Sequence, residues 1–190
     1  IQVSSKTGLL LNGQPRTMKG GCIHHDLGIL GAADHAAAER RRIRLMKESG
    51  FDAIRAAHNP FGPAFLDACD ELGMLVVEEA FDEWVMGRTS FGLHVTFEQC
   101  WEKDLEDMIT RDYNHPCIVM WSTGNEVEER DGTADGFAWA KRLADKVRSL
   151  DASRPVSATA CALFSEYGNR PAGGTTGNQA LNMAYDTFAE

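Results

Sequence analysis

Residues Cys117–Glu126, CIVMWSTGNE, set an almost unbroken apolar run against an Asn-Glu pair. A run without polar alternation suits a strand covered on both faces, the condition of a parallel sheet. Met74–Ala80, MLVVEEA, repeats the pattern, with two carboxylates where the apolar residues stop. The fold must therefore bury its strands while delivering polar side chains at their ends.

Working outward, further strands are predicted from Met18 (MKGGCI), Asp52 (DAIRAA) and Pro155 (PVSATA). Helices are predicted between them. Asp34 is placed to cap one that ends before Gly50, and Pro63 suits the first turn of a second, with Phe65, Leu66, Cys69 and Leu72 inward and Gly73 closing it. Thr96 and Gln99 have capping-box spacing before a stripe of Trp101, Leu105, Met108 and Ile109. Phe137, Ala140, Leu143, Ala144, Val147 and Leu150 form the stripe of a fourth helix. Residues 1–17 read instead as a short hairpin about Asn12-Gly13.

The bulk numbers exclude several functions. With 190 residues, 43% hydrophobic and 25% charged, the chain has the make-up of a globular domain. A net charge of -9 argues against nucleic acid or an anionic membrane as partner. The basic cluster Arg40, Arg41, Arg42, Arg44 and Lys47 reads as the solvated face of an amphipathic helix. Five scattered cysteines, without a C-x-x-C pair, suggest neither a disulfide framework nor a zinc knuckle. No phosphate-binding glycine loop or nucleophile elbow follows a strand, so no nucleotide cofactor is called for. Cytoplasm and periplasm both stay open as compartments.

Five strands alternating with four helices build either an open doubly wound sheet or part of an eight-stranded barrel. In a barrel the chemistry gathers at the C-terminal ends of the strands. Here the strands run into His24-His25-Asp26, His58-Asn59, Glu78-Glu79 with Asp82 and Glu83, and Asn125-Glu126, all at one end. His24, His25, Asp26 and His58 could hold a divalent ion, but adjacent histidines on a strand point to opposite sides. Glycoside hydrolysis asks instead for two carboxyl groups flanking the scissile bond, one of them protonated, and directional hydrogen bonds to sugar hydroxyls. On that reading Glu126 is the general acid/base and Asn125 a donor to a sugar hydroxyl.

LNGQPRTMKGGCIHHD, IRAAHNP, FLDACDELGMLVVEEAFDEW and RDYNHPCIVMWSTGNE occur in that order, and together resemble the catalytic domain of glycoside hydrolase family 2, the β-galactosidase and β-glucuronidase family. The resemblance spans roughly Leu10 to Thr159 and is closest to bacterial β-galactosidases. It implies an α/β fold, a (β/α)8 TIM barrel, here incomplete with about its first five strands; residues 1–17 would be a seam with a preceding domain and 18–190 the barrel portion. It implies hydrolysis of terminal β-glycosides with retention, with a β-galactoside as the leading substrate and a glucuronide or mannoside as alternatives. It places the acid/base on Glu126 and sugar contacts on Asn125, His24, Asp26 and His58. Glu79 matches the second member of the family's acidic pair, a substrate-binding or positioning residue, and Trp121 is expected to pack in the barrel. Glu83 matches a magnesium ligand of some relatives, but Val85 stands where a histidine would complete that site, so no metal is expected.

A barrel needs about 250 residues, and the family's nucleophilic Glu sits at the end of strand seven, beyond Glu190. Glu128 and Glu129 lie too near Glu126 to replace it, and Glu166 is expected in a loop. The 190 residues alone are therefore expected to be inactive, or to serve only for sugar binding or assembly. Their unpaired edge is expected to drive association into homo-oligomers.

Overall fold

The computed structural model describes residues 1–4, 6–131 and 133–159. Cys161, Glu166 and Gly173-Gly174 lie outside the described residues. Three short antiparallel strands, β1 (Gln2–Ser4), β2 (Gly8–Leu11) and β3 (Gln14–Pro15), lead the chain. Leu11 pairs with Gln14, so Asn12-Gly13 is a two-residue turn with φ of 51° and 77°. Positive φ at both positions is what makes an Asn-Gly pair fit there.

The rest is a strand–helix alternation: β4 (Gly20–Ile23), α1 (Ala36–Glu48), β5 (Ala53–Ala56), α2 (Pro63–Leu72), β6 (Leu75–Glu79), α3 (Phe97–Asp112), β7 (Ile118–Asn125), α4 (Gly136–Leu150) and β8 (Val156–Thr159). The five strands are parallel and hydrogen-bonded in chain order, β4-β5-β6-β7-β8. This is a TIM-barrel wall that does not close among the described residues. No helix among them is long and apolar enough to cross a membrane.

The core lies between sheet and helices, where Ile54, Phe65, Leu66, Val76, Leu105, Ile109, Ile118, Leu143 and Val147 are all buried. Pro63 stands at the start of α2, and Gly73 ends it in the left-handed region (φ 67°). Other expectations need correction. Asp34 does not cap α1, whose N-cap is His35; its carboxylate accepts the Ala64 N–H (3.2 Å) in the first turn of α2. Thr96 is the N-cap of α3, yet no capping box forms, because its hydroxyl turns back to the Leu93 carbonyl (3.5 Å). Phe137 is exposed, and Trp139 takes its place in the core, edge-on to Phe97 and Trp101. Arg42 does not face solvent with its neighbours: it pairs with Glu39 and donates to the carbonyls of His24 (3.0 Å) and Asp26 (3.3 Å), bracing the turn after β4.

Asp151 ties the end of α4 to β7 and to the segment that leads into β8. It accepts from Trp121 Nε1 (2.8 Å), Arg154 Nη1 (2.6 Å), and the Ser153 N–H (2.8 Å) and hydroxyl (2.6 Å). Burial would raise this carboxyl, but the bonds from Ser153, Arg154 and Trp121 outweigh it and hold it at about 2. A depressed acid contributes stability above its unfolded value and loses it as pH falls toward the folded one. Asp151→Asn is therefore expected to cost about 2 kcal/mol at pH 7, with the difference from wild type in urea midpoint shrinking as pH is lowered below 4.

Candidate active site

Because the strands are parallel, the residues that end β4, β5, β6 and β7 meet on one rim. Glu79, last in β6, is wholly buried and is the hub of that rim. Its oxygens accept Arg55 Nε (3.0 Å) and Nη2 (2.6 and 2.8 Å), the Ser122 hydroxyl (2.6 Å), and His58 Nδ1 at 2.7 Å. Arg55 Nη2 also donates to Asn125 Oδ1 (2.9 Å), and Asn125 Nδ2 donates to Asp82 Oδ1 (2.8 Å). Asp82 is salt-bridged to Arg88. The Asn125 amide is thus held in one orientation, its carbonyl toward Arg55 and its NH2 toward Asp82.

Glu126 follows directly, half-buried, with a left-handed backbone (φ 46°). That region is sparsely populated by side chains other than Gly, Asn and Asp, and such strain persists where surrounding structure imposes it, often at functional sites. The approach to it is equally constrained: a Cβ on Gly124 would come 2.8 Å from Trp84 Nε1, which donates to the Thr123 carbonyl (2.8 Å). No residue but glycine fits between that strand and the indole.

A cavity of about 260 Å³ opens beside these groups, lined by His24, His25, Ala57, His58, Asn59 and Asp82. The His24 ring stands edge-on to His58, with centroids 5.0 Å apart. His25 reaches the other way, to the Asn59 carbonyl (3.2 Å) and the Phe61 ring. Asp26 does not share this cavity. Its carboxylate accepts the Gly28 N–H (2.8 Å) and closes a turn beside a neighbouring hollow, because the chain bends sharply once β4 ends.

Glu79, expected to bind substrate or to position other groups, has its oxygens engaged by protein donors. Trp121 is buried, as the resemblance implied. Arg55 is the member of this network that sequence reasoning passed over. The signal was present: in the apolar run AIRAA (53–57) it is the one charge, on the face opposite Ile54, and such a charge needs a partner across the sheet.

The loop between β6 and α3 is fastened to the same rim. Burial would raise the Glu83 carboxyl, but bonds from the Arg88 N–H (2.9 Å), the His94 N–H (3.1 Å) and His94 Nδ1 (3.0 Å) bring it below its usual range. Glu83 thus serves as a loop anchor. Glu129 is buried and accepts the Met86 N–H, which fastens this loop a second time. Among the described residues the one grouping with metal-ligand spacing is Asp70, His115 and Cys117. Its members sit near the start of β7, away from the rim, where Asp70 accepts from His115 Nδ1 (2.7 Å) and the Cys117 N–H (2.8 Å). Those bonds make it a brace between α2 and β7.

The family model for the TIM-barrel domain of glycosyl hydrolases family 2 matches residues 1–169. The chain belongs to that family. Its catalytic-domain relatives include the β-galactosidase BoGH2A of Bacteroides ovatus, 37% identical over 188 aligned positions that cover 83% of this chain and 22% of the relative. A crystal structure of a family 2 member from Bacteroides cellulosilyticus superposes with a TM-score of 0.87 at 39% identity, covering 97% of this chain and 22% of that one. A family 2 β-galacturonidase from Eisenbergiella tayi, solved with galacturonate, matches at TM-score 0.69 and 34% identity over 80% of this chain and 27% of that one. The chain thus spans about a fifth to a quarter of the length of these family 2 relatives.

Proposed function

We propose that this chain is the acid/base half of a retaining β-glycosidase active site, acting on a terminal neutral β-hexoside, with a β-galactoside as the leading substrate. The observation that carries the reading is the Asn125-Glu126 pair, with its amide locked between Arg55 and Asp82 on a rim that also presents His24 and His58. In this role Glu126 protonates the departing glycosidic oxygen and then takes a proton from the incoming water, while Asn125 donates to a sugar hydroxyl. Glu79 and Arg55 hold His58 and Asn125 in place. The opposing nucleophile is a carboxylate outside the described residues, supplied by a later strand. A neutral sugar is favoured over a uronide because, among the described residues, no Lys or Arg lines the cavity to receive a sugar acid's carboxylate.

The test sets the whole protein against p-nitrophenyl β-galactoside and the matching β-glucuronide. Turnover of the galactoside at least tenfold faster supports the reading. Preference for the glucuronide overturns the sugar assignment, and activity of the 190 residues alone overturns the assignment of the nucleophile to another part of the chain.

A further inference from the structure

We infer that Glu78 is a positioning residue for the mouth: through its hydrogen bond to Phe61 it fixes the segment His58–Phe61, on which the pocket histidine stands. Glu78 and Glu79 are adjacent on β6, so their side chains leave opposite faces of the sheet. Glu79 takes His58, the first residue of the segment. Glu78 takes the last, accepting the Phe61 N–H at 2.7 Å from the helix side of the sheet. One strand thus grips both ends of the same four residues. Arg111 of α3 completes the hold by donating to the Phe61 carbonyl (2.6 Å).

Packing does little for the middle of the segment. Asn59 borders the 260 Å³ cavity on one side and, with Pro60, a cavity of about 320 Å³ on the other. Its placement therefore rests on its two ends and on the His25 contact with the Asn59 carbonyl (3.2 Å). The Phe61 ring is itself buried against Phe65 and His25, so loss of the Glu78 bond should loosen the segment without unfolding the domain.

The surroundings of Glu78 also set its charge. Facing it are Arg111 and Asp112 from α3, Cys69 from α2, and Cys117 at the entry to β7, and the charge of Glu79 acts on it from the other face of its own strand. The Arg111 guanidinium is committed to both oxygens of Asp112 (2.6 and 2.7 Å) and to the Phe61 carbonyl. Glu78 Oε2 is buried without a hydrogen-bond partner. Two buried carboxyls thus compete for one cation, and the protonated form is favoured at the one it does not touch. Burial lifts Glu78 well above the usual carboxylate range, against the pull of the Phe61 N–H and with a further push from Asp112. In the unfolded chain the same group ionises near its ordinary 4.5. The unfolded state therefore binds fewer protons above that pH, and folding stability falls as pH rises from there toward the folded value. Gln at this position keeps the acceptor and removes that slope.

The test uses the whole protein with Glu78→Gln and Glu78→Leu, and reads amide hydrogen exchange by segment, melting temperature from pH 5 to 8, and turnover of p-nitrophenyl β-galactoside. Glu78→Leu is expected to speed exchange in 58–62 at least tenfold while peptides from α4 keep the wild-type rate. Glu78→Gln is expected to stay within twofold of wild type in that segment, and to melt progressively higher than wild type as pH rises. Wild-type exchange in Glu78→Leu, or a Glu78→Gln segment as loose as that of Glu78→Leu, overturns the inference. Should Glu78→Leu unfold throughout, the wild-type exchange of the Phe61 amide decides: exchange at the rate of an unbonded amide overturns it. Only the sugar-binding role of His58 rests on the function proposed above. The expected exchange pattern in a wild-type protein that turns over no glycoside would sink that reading and leave this one standing.

Discussion

Glu126→Gln is expected to lower kcat on an alkyl β-galactoside by about 10²- to 10⁴-fold, the range that a positioned general acid contributes. An alkoxide is a poor leaving group and cannot depart without its proton. Nitrophenolate can, so on p-nitrophenyl β-galactoside the first step is spared while the water-requiring second step slows, and a burst of nitrophenol should precede a slow steady state. Glu126→Gly extends the test. Glycine suits the backbone φ of 46°, so this variant should fold at least as well as wild type. It also leaves room for azide, which needs no base to attack the sugar, and the product should then be a β-galactosyl azide. Undiminished alkyl galactosidase activity in Glu126→Gln would remove Glu126 from the mechanism.

Glu79→Leu should have the largest effect on stability. Arg55 would lose its two-pronged partner in a site where its side chain is only 20% exposed, and the Ser122 hydroxyl and His58 would lose their shared acceptor. Breaking a buried pair from one side typically costs about 3–5 kcal/mol, because the surviving charge has no counterion. The double variant Glu79→Leu/Arg55→Met removes both charges and is expected to recover most of that loss in urea melts. Activity should not return with it, since neither Asn125 nor His58 would be held. A double variant as unstable as Glu79→Leu would mean that the residue's worth lies in packing and not in the pair.

The strands and their common rim were legible because both follow from local rules. Apolar runs mark buried strands, and parallel strands end on one side. Asn12-Gly13 and Pro63 were legible for the same reason, since a backbone angle is a property of the residue itself. What failed depended on partners distant in sequence. Asp34 has the chemistry of a cap, but whether it serves α1 or α2 is settled by how the turn after β4 lies across both. Thr96 and Gln99 had the right spacing, yet the Leu93 carbonyl competed for the hydroxyl. Phe137 and Trp139 are two positions apart on one helix, and only the place where Trp101 and Phe97 stand decides which ring is buried. The site divides in the same way. Asn125 and Glu126 could be singled out from their position at a strand end, and the network around Asn125 is what the chain order did not show. Arg55 went unnoticed until Glu79, twenty-four residues on, appeared beside it, and Asp26 looked like a pocket residue until its turn took it elsewhere.

Arg42 carries a lesson for anyone redesigning the exterior. In the written chain it sits inside a run of interchangeable-looking cations, and a lysine there would pass as conservative. The planar guanidinium reaches a carboxylate and two main-chain oxygens at once, whereas a single ammonium on a limp stem has no matching fork. Solubility engineering that swaps surface arginines wholesale would thus disturb the bend carrying His24, and on the function proposed above an apparently cosmetic edit would register as altered sugar affinity.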